Sequence, residues 1–290
     1  MKIKICASWT STTEATKRVL YQFKTPKINL DDVEFVYDNS YDLIIFFNNV
    51  CEQLKEGSNA FIFPHEPSWT GTHQKVLSKN VTIFGFDKQI YTGNCIELLA
   101  HTFYGGRGDW VDPQSFWNYD FLSKASFTKS KNISCSITKL KENNGPTCLY
   151  PQRYKLAEFI NNKFIDMYGG WLDNSPKRHD ALVNYKFNIS IENEHINNWI
   201  TEKFYDCILT DTIPIYFGCK NIKEVYPEDG YILIEDINDV DGIEKMLKEI
   251  DKNSEDIYNQ KLPGLLKIKE KYFAENNLLK RILNCRYIKY

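Results

Sequence analysis

The run YKFNISIENEHINNWITEKFYDCILTDTIPIYFG, residues 185–218, decides how this chain folds. Lys186–Ile191 is apolar and β-rich, as a buried strand is, and Glu192–Asn198 is a polar loop. Trp199–Leu209 carries apolar residues at helical spacing, and Ile213–Phe217 is a second buried strand. Strand, loop, helix and strand in that order predict a βαβ unit with parallel strands. The loop leaves the carboxyl end of a buried strand, where ligands of such sheets bind.

The alternation continues in both directions. Upstream, strands are expected at Ile133–Ile137 and Phe164–Met167, with a helix over Gln152–Asn162. Downstream come a strand at Tyr231–Ile234, a helix at Asp241–Ile250 and a helical remainder from Leu262 to Tyr290. The first half repeats the scheme: strands at Ile3–Cys6, Val33–Tyr37, Leu43–Phe47, Ala60–Phe63 and Val81–Phe84, with a helix over Thr12–Gln22. Runs as continuously apolar as LIIFF at 43–47 belong to parallel sheets covered on both faces. The stretch Gly105–Lys131 lacks periodicity and places a domain boundary. The expected fold class is therefore α/β, with two doubly wound Rossmann-like domains, 1–125 and 126–290, the last helix able to pack back on the first.

Composition narrows the function. With 290 residues and 42% hydrophobic content, the chain can bury two ordinary cores. A formal charge of -2 gives no general field for nucleic acid or an anionic membrane, so any basic site is local. The basic residues Lys280, Arg281, Arg286 and Lys289 read as a surface helix, with weak peripheral membrane contact as the alternative. No apolar run reaches the roughly 18 residues of a transmembrane helix, and the N-terminus reads as a first strand. The eight cysteines form no CxxC pair and no regular framework, which fits a reducing, cytoplasmic setting. There is no G-x-G-x-x-G after the first strand and no P-loop, so the nicotinamide and P-loop readings lose their main support.

Chemistry concentrates in the quoted run. Thr201, Glu202 and Lys203 fall in the first turn of the expected helix, where unpaired N–H groups and the dipole favour an anion. A lysine is poorly placed there unless an anionic ligand such as a diphosphate lies in front of it. Taken alone, an N-terminal helix charge and a solvated neighbour would account for Glu202 and Lys203. The whole run, however, resembles the C-terminal signature of glycosyltransferase family 10, the α-1,3/4-fucosyltransferases. Tyr185, Lys186, Phe187, Asn188, Glu192, Asn193, Ile200, Thr201, Glu202, Lys203, Pro214 and Gly218 carry the likeness. A weaker likeness reaches back to PQRYKLAEF at 151–159 and to FIDMYGG at 164–170.

The resemblance implies two domains facing across a cleft, the GT-B arrangement, with GDP-fucose as donor, a glycan hydroxyl as acceptor and inversion at the transferred carbon. It implies that Arg153 and Lys203 hold the diphosphate, that Asn193 and Glu202 bind ribose and nearby donor hydroxyls, and that Tyr185, Trp199 and Thr201 complete the donor set. Trp199 stands where the family usually has Tyr, which removes a hydroxyl. Arg, Lys and a helix N-terminus can neutralise a leaving diphosphate, so no metal or other cofactor is required. The first domain should supply a base for the acceptor hydroxyl: Glu66 in FIFPHEPSW at 61–69, with His65 as the alternative and Trp69 as an acceptor platform. His179, after Lys177 and Arg178, ranks lower, as does the glycine-rich Gly105–Asp109. Another GDP- or UDP-sugar as donor, a nucleotide-sugar epimerase or hydrolase, and a catalytically silent sugar-nucleotide or glycan-binding protein remain the alternatives.

Overall fold

A computed structural model describes residues 1–68, 81–91, 94–100, 103, 116–161, 163–169 and 179–288. In chain order the elements are β1 (Lys2–Ala7), α1 (Thr12–Phe23), β2 (Glu34–Phe35), β3 (Leu43–Phe47), β4 (Asn59–Phe63), β5 (Val81–Gly85), β6 (Asn94–Glu97) and α2 (Tyr119–Leu122). There follow β7 (Lys131–Ser136), α3 (Tyr150–Ile160), β8 (Asp166–Tyr168), β9 (Tyr185–Ile191), α4 (Glu202–Leu209), β10 (Ile213–Phe217), α5 (Ile222–Val225) and β11 (Ile232–Leu233). Three helices close the chain: α6 (Val240–Lys252), α7 (Ser254–Glu275) and α8 (Leu278–Asn284). Two units result, one of Met1–Phe103, Asn118–Asp120 and Glu275–Tyr290, the other of Tyr104–Trp117 and Phe121–Ala274.

The first unit is built on a parallel sheet in the order β2-β1-β3-β4-β5-β6. All five residues of β3 are buried, as its apolar run requires. Ser11 caps α1 by accepting from the Glu14 N–H, and the helix buries Ala15, Val19 and Phe23. One side chain fastens the C-terminal segment to this unit. Asn277 Oδ1 accepts from the Lys280 N–H to cap α8, while its Nδ2 donates to the Phe23 carbonyl at the end of α1, at 2.8 Å. Residues from Glu275 onward group with the first unit; the expected division at 125/126 leaves room for the last helix to pack back on the first domain.

The second unit is a parallel sheet in the order β11-β10-β9-β7-β8. Helix α4 starts three residues later than its apolar spacing suggests. Asn198 takes a positive φ of 57° and Thr201 is an extended cap, so Trp199 and Ile200 lie outside the helix. Helix α7 starts at Ser254, well before Leu262, and carries Pro263 inside it. Its packing outweighs that interruption: Lys269 Nζ pairs with Asp211 Oδ1 at 2.7 Å and the Tyr258 hydroxyl donates to the Asp211 carbonyl at 2.9 Å. Among the described residues no helix is long and apolar enough to cross a membrane.

Gly264 lets α7 approach the Glu228–Gly230 turn, because a Cβ at 264 would lie 2.5 Å from the Asp229 carbonyl carbon. Gly264→Ala gains about 1 kcal/mol of helix propensity but forces backbone apart, at about 1–3 kcal/mol. A net loss of thermal stability is expected by calorimetry, and an unchanged or higher Tm would contradict the close approach.

Candidate functional site

The strand order of the second unit reverses between β7 and β9, and ligands of such sheets lie beyond the carboxyl ends at that point. Two chain segments meet there. The segment before α3 and the loop after β9 are stitched together by a bridge between Cys148 and Glu194. The His195 N–H donates to the Thr147 carbonyl and the Leu149 N–H to the Asn193 carbonyl, both at 2.9 Å. Thr147 Oγ1 adds a 2.8 Å bond to Glu194 Oε1. This stitching fixes the start of α3, and so Arg153, against Asn193.

Glu192 organises the other side. It follows β9 directly and is 0% exposed. Its Oε1 accepts from the Thr201 N–H at 2.7 Å and its Oε2 from the Thr201 hydroxyl at 2.5 Å. The Tyr216 hydroxyl approaches Oε1 at 3.4 Å. Thr201 is the cap of α4, so the carboxylate sets the position of that helix's first turn. Gly218 is required beside it, since a Cβ there would overlap the Glu192 side chain. Lys203 Nζ then reaches Glu202 Oε1 at 2.8 Å, Thr201 Oγ1 at 3.3 Å and Glu192 Oε2 at 3.8 Å. Burial pushes the Glu192 carboxyl up, and the Lys203 ammonium opposes that shift.

Arg153 is the second cation. It is 4% exposed and donates from Nη1 to Asn193 Oδ1, while its Nε has no hydrogen-bond partner among the described residues. Burial lowers its pKa, and Tyr150, Glu192 and Glu202 act electrostatically in the opposite direction. Glu192 and Glu202 thus act on both Arg153 and Lys203, which places the two cations in one electrostatic neighbourhood. A buried guanidinium with an unused donor favours an anionic ligand, because an uncompensated buried charge is costly.

In the first unit, β4 ends at Phe63 and leads to His65 and Glu66. Asn48, at a positive φ of 68°, accepts from the His65 N–H through Oδ1 at 2.7 Å and pins this turn. Glu66 is exposed. The His65 ring stacks on Phe103 at 5.3 Å and meets Phe47 edge-on at 4.9 Å, and its Nε2 is shielded from solvent.

Of the residues singled out in the sequence, Arg153, Asn193, Thr201, Glu202 and Lys203 come together at the β7/β9 edge. Tyr185 does not. It opens β9, about 23 Å from Glu192 at 3.3 Å rise per residue. Its hydroxyl is committed there, donating to Asp166 Oδ2 at 2.5 Å and accepting from Lys131 Nζ at 3.0 Å. Trp199 is 1% exposed, so its ring presents little surface at this edge. Thr201 is consumed by Glu192 and the helix cap. Trp69, Lys177, Arg178 and Gly105–Asp109 lie outside the described residues. The organising role of Glu192 has no local signal, because its partners Thr201, Tyr216 and Gly218 are brought to it by the fold.

Two parallel α/β sheets, each with one reversal of strand order, are the architecture of the GT-B class, whose solved members the chain resembles in fold. The family model for glycosyltransferase family 10 (fucosyltransferase), C-terminal part, matches residues 126–277, and the chain belongs to that family. The chain is 38% identical over 71 residues to the 4-galactosyl-N-acetylglucosaminide 3-α-L-fucosyltransferase 9 of Mus musculus. That match spans 24% of this chain and 20% of the mouse protein. The crystal structure of an α1,3-fucosyltransferase with GDP-fucose superimposes with a TM-score of 0.52 at 13% identity, covering 90% of this chain and 81% of that one. T4 phage BGT in complex with UDP-glucose gives 0.51 at 11% identity, covering 98% of this chain and 100% of that one.

Removing the Glu192 carboxylate strands two buried Thr201 donors and leaves Lys203 short of an anion. Glu192→Ala is expected to lower unfolding stability by about 3 kcal/mol in chemical denaturation. A change below about 0.5 kcal/mol would show that the carboxylate does not hold α4.

Proposed function

We infer that this chain is an inverting, metal-independent fucosyltransferase that moves fucose from GDP-fucose to a glycan hydroxyl. The observation that carries the reading is that one loop at the edge where a doubly wound sheet binds its ligand holds the buried Arg153 through Asn193 and Lys203, in the first turn of α4, through Glu192. Arg153 and Lys203 bind the two phosphates, and the Arg153 Nε supplies an unused donor. Glu202, now paired with Lys203, turns to the ribose hydroxyls when phosphate takes over the ammonium, and Asn193 adds a polar contact from the same loop.

As the C1–O bond to the diphosphate breaks, negative charge grows on the leaving oxygen. Fixed cations stabilise that charge more than the ground state, which is what accelerates the step. The family supports fucose, and the α1,3-fucosyltransferase with GDP-fucose supports GDP. The T4 enzyme with UDP-glucose shares the fold, so the donor rests on the family match and on the site. Glu66 takes the acceptor proton; its exposure favours it over His65, whose Nε2 is shielded. The mouse relative's name makes a 4-galactosyl-N-acetylglucosaminide the first acceptor to try. Eight free cysteines suit a reducing, cytoplasmic setting.

Roles separate by mutation. Lys203→Ala is expected to weaken GDP binding roughly 10- to 100-fold by calorimetry, the scale of one charged hydrogen bond. Glu66→Gln should leave GDP affinity nearly unchanged and cut transfer from GDP-fucose by about 100- to 10,000-fold. Equal loss of GDP affinity in both variants, or full transfer by Glu66→Gln, would refute these assignments.

A further inference from the structure

We propose that Trp9 is the stacking platform on which a pyranose ring of the acceptor rests, an inference that builds on the transferase reading above. The strand order of the first unit reverses between β1 and β3, which makes the carboxyl ends of those two strands its ligand-binding edge. Trp9 lies two residues beyond β1, in a tight turn closed by a bridge between Ala7 and Thr10. It is 41% exposed, although it is the largest apolar side chain of that edge.

The indole is held, not loose. It stacks on Phe47, the fully buried last residue of β3, with centroids 6.2 Å apart and planes 29° apart. The His65 ring meets it edge-on at 6.1 Å and 87°. His65 is in turn backed by Phe103, over which the Arg18 guanidinium lies at 4.5 Å. A ring fixed in this way loses little freedom when a ligand covers its exposed surface.

The chemistry of that edge fits a sugar. A pyranose presents a face of C–H groups that packs on an aromatic ring, and a rim of hydroxyls that needs polar partners. Glu66, next to His65 in the chain and exposed, supplies a carboxylate to the same edge. The platform and the proposed base are thus linked through His65, one by ring contact and the other by the peptide bond. Trp9 would orient the acceptor ring without touching the transferred proton, so its loss should act on acceptor binding and leave the donor untouched.

The test compares wild type, Trp9→Ala and Trp9→Phe for retention on a printed array of β-galactosides and N-acetylglucosaminides, with GDP affinity measured calorimetrically on each. The expected result is a loss of retention of about tenfold or more in Trp9→Ala with GDP affinity unchanged, and retention close to wild type in Trp9→Phe. Equal retention by Trp9→Ala and wild type, or no glycan retained by a wild type that binds GDP, would overturn the platform alone. A wild type that binds no GDP would overturn the transferase reading beneath it.

Discussion

A fully buried carboxylate at the end of a central strand is expensive unless it is surrounded by donors, and Glu192 is surrounded. Its two bonds to Thr201 convert that cost into position: they fix the cap of α4, and with it the direction from which Lys203 and the helix N-terminus face the β7/β9 edge. Gly218 is bare to make room for it, and Tyr216 comes up beneath it. The Asn193 carbonyl, one residue on, anchors the start of α3 and so aims Arg153. Every charged group of the candidate site depends on this one loop holding its shape.

The same arrangement explains why the two cations differ. Lys203 is partly open and paired with Glu202, so its charge is already balanced and can be exchanged for that of a ligand. Arg153 is enclosed, with one donor nitrogen lacking a partner among the described residues and burial working against its charge. A flexible ammonium with a replaceable partner and a fixed guanidinium with an unused hydrogen-bond donor suit an anion with several acceptor oxygens, such as a diphosphate.

Much of the fold is legible from apolar runs alone. LIIFF at 43–47 and IPIYF at 213–217 become β3 and β10 with the bounds their composition suggests, because a strand buried on both faces leaves no polar residue to blur its ends. Elements held by distant contacts are less visible. The polar β6 and the early start of α7 ahead of Pro263 depend on neighbours far away in sequence, and the strands expected at Val33–Tyr37 and Tyr231–Ile234 form only as the two-residue β2 and β11. In the site, Lys203 and Arg153 carry their charge in the sequence itself, but the distance of Tyr185 from the loop follows only from the direction of β9. Trp9 gives no periodic signal, since its place at a switch point is a property of strand order.

The central claim is that the β7/β9 edge of the second unit, organised by Glu192, is where the nucleotide sits. Hydrogen exchange read by mass spectrometry, with and without saturating GDP, measures this directly. GDP is expected to slow exchange in the peptides covering 147–153 and 192–204 and to leave the amino end of β9, around Tyr185, unaffected. Protection confined to other segments, with these two unchanged, would contradict it.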